Sequence, residues 1–374
     1  GGLTLGRVGS TGGIAIDSPI SISGPISVFG GDIAVDANLT STATTGNGIT
    51  ITGQRIFQDD GVDSETSGAD ISYTAANFDS TSASESVVVL EGDGANRAVL
   101  NANGGDITVA GSYAAGGVAG DLERAVIFTL AELVTSGSGE INLTADATNS
   151  GNTTNTAWGM QPNDARIISG DGDITLTMIG GAATSNSRGL ALDDQSIELL
   201  SASGTITVRD IQPAGLTVNY NGLYLLPDAA NTIVFGADGA QVTSSSSDII
   251  IEADKVTFAS QPTRFNTSGA VSIRPVGADF LANIDTANVN VENTASSLTI
   301  GKPGNNGTKI TISRDQSING PINIYSYNVD IDAKLESINN RILLSSTAAN
   351  NSQGTLELLS GAEVVADELL IRNF

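Results

Sequence analysis

Neither cysteine nor histidine occurs anywhere in the 374 residues. Without cysteine there is no disulfide framework and no thiolate metal site. Without either residue, Ser-His-Asp and Cys-His nucleophilic catalysis and the usual zinc sites are excluded. Basic residues are scarce: 16 Lys and Arg face 41 Asp and Glu, for a formal charge of −25. That balance repels phosphate backbones and anionic lipid surfaces, which argues against nucleic acid or a membrane surface as partner. Aromatic residues make up 4%, too few for a propeller or an aromatic-girdled barrel. Long apolar runs are missing as well. The best, AVIFTLAELV at 125–134, is too short to cross a bilayer and carries Glu132. The opening GGLTLGRVGS has neither an initiator Met nor the apolar stretch of a signal peptide, and reads as the start of a mature or excised piece.

What is present is repetition. With 40% hydrophobic and 15% charged residues, the solvating surface must be built largely of Ser, Thr, Asn and Gly, a mixture that suits an extracellular location. Between these polar stretches one phrase returns: GGDIAV at 30–35, GGDITV at 104–109, GSGEINL at 137–143, SGDGDITLT at 169–177, SGTITV at 203–208, SGAVSI at 268–273 and NGPINI at 319–324. Each sets a glycine before alternating apolar and polar positions, the period-two signature of a strand with one buried face. The expected inward positions are Ile33, Val35, Ile107, Val109, Ile141, Leu143, Ile174, Leu176, Ile206, Val208, Ile322 and Ile324. The glycines are expected to supply the backbone conformations of a sharp corner.

Spacing sharpens the reading. The phrases at 105, 139, 172 and 204 lie about 33 residues apart, inside the solenoid window. A longer echo, SGPISVFGGDIAVDANLTS at 23–41 against NGPINIYSYNVDIDAKLES at 319–337, aligns without a gap. Strands this short satisfy their backbone groups only by stacking on their equivalents about 4.8 Å away. The expected fold is therefore all-β, a parallel β-helix (β-solenoid) of stacked irregular coils running through 1–374 as one continuous unit of a longer array. Coils of roughly 20 or 33 residues give about 11 to 19 coils and a rod on the order of 50–90 Å. At 121–134 a short helix or insertion is the alternative to strand, with Asp121 as cap and Leu122, Val126, Leu130 and Leu133 as stripe. The Ser/Thr/Asn/Gly stretches at 144–156, 180–188, 243–247 and 347–354 read as excursions from the repeat.

The repeated GDIT[LV] strands, the blocks of the form WGMQPNDARIISGDGDITL at 158–176 and the GPI segments at 24–26 and 320–322 resemble the repeats of filamentous-haemagglutinin-type adhesins. The resemblance covers most of the chain and lies in repeat style and composition. It implies a right-handed parallel β-helix from a large secreted bacterial surface protein. Such proteins are exported through an outer-membrane partner or as autotransporters, and act in attachment, aggregation or biofilm formation. The family's N-terminal secretion module with Asn-Pro-Asn motifs and a C-terminal membrane barrel are not found in the sequence, so the resemblance implies an internal segment.

Carboxylates are the remaining chemistry. Asp193-Asp194, or Asp59-Asp60 with Asp63, could serve a polysaccharide-active β-helix enzyme or phage tail protein as acid and base. Turns select Asp for local hydrogen bonding, which is the weightier explanation, and the Gly-His-Gly motif of pectin hydrolases cannot occur here. Asp171 and Asp173 around Gly172, and Asp330 with Asp332, are candidates for weak divalent cation (calcium) binding, although the calcium-roll pattern Gly-Gly-x-Gly-x-Asp is missing. GGVAGD at 116–121 lacks a P-loop lysine and reads as a corner. The threonines of GITITG at 48–53 suit a flat ice-binding face, but equally any solvent-facing row. Trp158, Tyr220 and Tyr224 are candidates for a small sugar-stacking patch, against packing as the plainer reading. These observations lead to a non-enzymatic adhesive stalk at the cell surface with no cofactor, whose partners are other cells, surface glycans or copies of itself. The alternative is a self-assembling subunit of an extracellular filament or surface layer.

Overall fold

The computed structural model describes the chain except for residues 79–85, 95, 114–121, 150–155, 182–185, 194, 214–219, 228–230, 305–306 and 347–353. For strand residues 77, 78, 122, 156, 186, 192 and 193 it describes the backbone alone. Every regular element among the described residues is a strand, and every strand pairing runs parallel. The chain is a parallel β-helix of triangular section: successive strands go to a first, a second and a third face, then return to the first one coil higher.

The first face is unbroken. Its sheet has fifteen strands. One of them, Gln316–Ile318, belongs to the third face and pairs with the opening residues of Lys334–Ser345. The other fourteen run from Leu3–Gly6 to Glu363–Arg372. Thirteen steps of about 4.8 Å make a rod of roughly 60 Å. The second face is a nine-stranded sheet from Ile14–Ile16 to Val256–Phe258, continued by a four-stranded one from Ile284–Asp285 to Leu356–Leu358.

Burial follows the alternation because all three faces point apolar rows at one axis. A column on the first face runs Ile26, Ile49, Ile71, Ile107, Ile141, Ile174, Ile206, Ile249 and Val271, each the register partner of the next. All nine are 0% exposed. The twelve inward positions named from the sequence are at most 1% exposed. Ile33 and Val35, however, lie on the second face, in Asp32–Val35, not on the first with the other ten. Period two tells which side of a strand faces the axis, but the three faces share that signature.

Coil length changes along the rod. Register partners on the first face are 23, 23 and 22 residues apart from Leu3 to Ile71. They are then 36, 34, 33, 32 and 43 apart up to Ile249, and 22 to Val271. Both expected lengths therefore coexist. The matching stretches 23–41 and 319–337 are each one complete short coil, with Ser41 and Ser337 donating to Gly24 and Gly320 carbonyls at 2.9 and 2.8 Å.

The helical alternative at 121–134 is overturned. Leu122–Thr129 is a second-face strand paired to Ser86–Glu91 and Thr156–Asn163, and Ala131–Val134 belongs to the third face. Leu130 between them takes a positive φ of 48°, so the apolar spacing that imitates a helical stripe is two strands around a corner. Asp121 lies outside the described residues, as does GGVAGD at 116–121.

The recurring phrase has a physical basis at each letter. In SGDGDITLT, Ser169 is fully buried and donates to the Gly139 carbonyl one coil below at 2.9 Å. Thr135 and Ser201 do the same toward Gly105 and Gly172. Asp173 accepts the Thr205 backbone N–H of the next coil at 2.7 Å, as Asp106 accepts that of Glu140 and Asp70 that of Asp106. Gly172 is not required for a left-handed backbone, the reason expected from the sequence: a Cβ there would stand 2.0 Å from the Gly139 carbonyl oxygen. The corner glycines let neighbouring coils touch.

Candidate functional site

The extra residues of the long coils enter at one place. Between the first and second faces the short coils turn tightly, from Phe29 to Asp32 and from Gly53 to Arg55. In five successive long coils the first-face strand ends at Phe78, Tyr113, Asp146, Ile179 and Ile211, and the second-face strand begins at Ser86, Leu122, Thr156, Asn186 and Tyr220. The strands flanking this corner close on each other through small residues. A Cβ on Gly111 would lie 2.3 Å from the Ala125 carbonyl oxygen, and one on Gly180 2.7 Å from that of Arg188. Tyr113 ties this pair together, its hydroxyl donating to the Arg124 carbonyl and accepting the Arg124 N–H, both at 3.0 Å. The result is a thin ridge along one edge of the rod. The 43-residue coil adds a second device: Ala237 and Val242 pack over Ile168, Leu200 and Val234, a small apolar cluster outside the main core.

Three perturbed side chains, Arg124, Asp210 and Tyr220, gather at the base of the ridge. Arg124, Trp158 and Arg188 are register partners in three successive coils. Their guanidinium carbons lie 5.4 and 5.0 Å from the indole centroid, and Arg188 is 3.9 Å from the Tyr224 ring. Four side chains thus alternate cation and aromatic along the rod, each contact within cation–π range. Burial lowers the Arg124 pKa to about 10, which leaves the group charged at neutral pH. Beside this column Asp210 is 1% exposed and accepts a short hydrogen bond from the Tyr220 hydroxyl. Burial pushes the Asp210 pKa up to about 8, against the lowering effect of the Tyr220 hydrogen bond and with a smaller contribution from Asp254. The Tyr220 hydroxyl is raised for the same reason, with the Asp210 charge second. Asp210 Oδ2 and Trp158 Nε1 have no hydrogen-bond partner among the described residues.

Chemically this group locks the ridge to the core. A neutral carboxylic acid is able to donate a hydrogen bond, but Asp210 is packed where a Cβ on Gly189 would stand 1.5 Å from its Oδ1. Nothing of reactant size fits between them.

No family model, curated protein or solved structure matches this chain.

The remaining candidates are scattered. Trp158 and Tyr220 are 6% and 4% exposed and Tyr224 is half-buried, so the three do not present open stacking faces. Asp59, Asp60 and Asp63 sit at the corner between second and third faces. Asp60 is raised by hydrogen bonding to the Asp59 carboxyl and then by Asp93; Asp63 is raised by burial and then by Glu65. Only the backbone of Asp193 is described, and Asp194 lies outside the described residues. Asp171 accepts a hydrogen bond from Ser203 while Asp173 serves the ladder described above, and Asp330 pairs with Lys309 at 2.7 Å. Among the described residues no three carboxylates converge as a cation site.

Two buried features had no signal in the sequence. One is the Asp210–Tyr220 pair. The other is a polar cluster inside the core, where the Tyr73 hydroxyl donates to Gln58 Oε1 at 2.6 Å and lies 2.6 Å from Ser64 Oγ. Gln58 Nε2 in turn donates to the carbonyls of Val62 and Val99.

Proposed function

We propose that this chain is a stalk and display segment of a secreted bacterial surface adhesin, attaching to cells, surfaces or biofilm matrix. One observation carries the reading: in five successive coils the strands on either side of one corner run six to nine residues, against four in the second coil, and close on each other as a ridge along one edge of the rod. A core built only for stiffness has no use for it. Two further features support it: an outer surface of hydroxyls and amides, and the resemblance of the repeats to those of filamentous-haemagglutinin-type adhesins. The test is adhesion of the purified chain to host-cell, abiotic and biofilm-matrix surfaces. It is compared with a variant whose segments 114–121, 150–155 and 182–185 are each replaced by the two-residue Gly corner found at 30–31. Loss of attachment with retained melting is expected; attachment no greater than that of an equally acidic globular control removes the proposal.

A second reading, an assembling filament subunit, puts coils of another copy where a longer array would stack further coils of its own. Either would pair the free sides of Leu3–Gly6 and Glu363–Arg372 and cover Leu358, Leu359, Val365, Leu369 and Ile371. Electron microscopy separates the two: rods of roughly 60 Å for a stalk segment, extended polymers for a subunit.

A further inference from the structure

The first three coils and the strand that opens the fourth, at the lower end of the ridge, carry a feature that the ridge does not explain. A half-open groove of about 330 Å³ runs along the corner between first and second faces. Ser10 and Thr11 come from the first coil, Phe29 from the second, Thr52 and Gln54 from the third, and Thr74 from the fourth. The groove therefore lies along the rod axis and ends at Asp70–Phe78, the first extended strand. Its floor is low because Gly30 and Gly53 stand at successive corners, where a Cβ would meet the Gly12 and Gly31 carbonyl oxygens at 3.0 and 2.7 Å.

In a chain of formal charge −25, none of the residues lining this groove is charged. Four hydroxyls, one carboxamide and one half-buried phenyl ring remain. The hydroxyls of Ser10, Thr11 and Thr52 and the Gln54 carboxamide make no side-chain hydrogen bond among the described residues, so their donors and acceptors are available to a ligand. Phe29 occupies an outward row between Gly6 and Thr52, and Gly6 offers no side chain to cover it. The adjoining outward row is Thr4, Ser27, Thr50, Ser72 and Thr108, again hydroxyl-bearing and uncharged.

We infer that this groove binds a neutral glycan chain. A sugar presents both an apolar C–H face, which stacks on an aromatic ring, and a rim of hydroxyls that exchange hydrogen bonds with hydroxyl and amide groups. The coil repeat of about 4.8 Å is close to the length of one unit in an extended polysaccharide, so consecutive sugars meet consecutive coils. Anionic glycans are disfavoured by the field of the whole molecule. The inference rests on the adhesive reading and deepens it by naming what the rod holds.

The experiment is calorimetric titration of the full chain with neutral gluco-, manno-, galacto- and N-acetylglucosamine oligosaccharides of four to six units, and with an oligogalacturonate. Wild type is expected to bind at least one neutral series and not the oligogalacturonate. Phe29→Ala and Gln54→Ala each weaken binding about tenfold or more, the loss of one good contact. Both positions are outside the core, and unchanged melting curves certify the fold. No binding by any neutral series, or undiminished binding by both variants, overturns the inference. The two proposals fail separately: adhesion by a chain that binds no neutral series removes the groove and leaves the adhesin, while groove binding without adhesion does the reverse.

Discussion

Replacing Asp210 by Asn tests whether the base of the ridge is held by a neutral acid. The unfolded carboxyl titrates at the ordinary 3.8, and the folded one at about 8. Between those values the unfolded chain has released its proton while the folded chain keeps it, so stability falls as pH rises from about 4 to about 8 and levels beyond. A difference of about four pH units corresponds to on the order of 5 kcal/mol lost across the window. Asn cannot ionise, so Asp210→Asn removes this slope and gains on wild type as pH rises. Coil arrays unfold in sections, and a global midpoint would mix them. Trp158, the one tryptophan, lies in the adjoining column and reports the right coils. Urea titrations followed by its fluorescence at pH 5, 7 and 9 supply the comparison. The many other carboxylates titrate alike in both proteins and cancel in the difference. Tyr220→Phe, which removes the hydrogen bond that lowers the Asp210 pKa, should carry the decline to still higher pH. Parallel pH profiles for wild type and Asp210→Asn would refute the reasoning.

Three further outcomes are expected. Gly172→Ala forces a methyl to within 2.0 Å of the Gly139 carbonyl and should cost about 1–3 kcal/mol or more in urea titrations. Gly137→Ala, where nothing lies within 4 Å and only a φ of 56° opposes it, should cost about 1 kcal/mol; equal losses would remove the close-approach argument. Tyr73→Phe takes a donor from buried Gln58 Oε1 and should destabilise by about 1–3 kcal/mol, with a smaller loss in the double variant with Gln58→Leu; additive losses would show that the cluster is not coupled. Millimolar calcium and magnesium should raise the melting temperature alike by screening the excess negative charge, and no change against chelator would discard the cation effect.

How much of this was legible follows from which interactions are local. Alternation within a strand is local, so Ile107 with Val109 and Ile174 with Leu176 could be assigned inward from six residues of sequence. Coil spacing was readable where neighbours share a length, as between 105 and 204, and where a whole short coil recurs, as at 23–41 and 319–337. The assignment of Asp32–Val35 to the second face was not readable, because each face addresses the same axis with the same alternation. Gly172 and Asp173 act on atoms one coil away, and nothing in their own neighbourhood distinguishes contact from turn chemistry. Trp158 reads as a packing residue or, less plainly, a sugar-stacking one, and its cation–π column emerges only when the arginines 34 residues before it and 30 after it fall into register. Asp210 occupies an inward column between Met178 and Ala253, where the period-two pattern calls for an apolar residue.

The variation in coil length sets how such a rod yields under load. Tension along its axis acts on the ladders between neighbouring coils, which peel away singly because each coil holds only the next. A short coil of 23 residues then surrenders about 80 Å of extended chain in place of about 4.8 Å of rod. The 43-residue coil surrenders about 145 Å. A tether of this design lengthens in unequal stages instead of snapping, and the ridge-bearing middle, with its longest coils, gives the greatest extension per broken step.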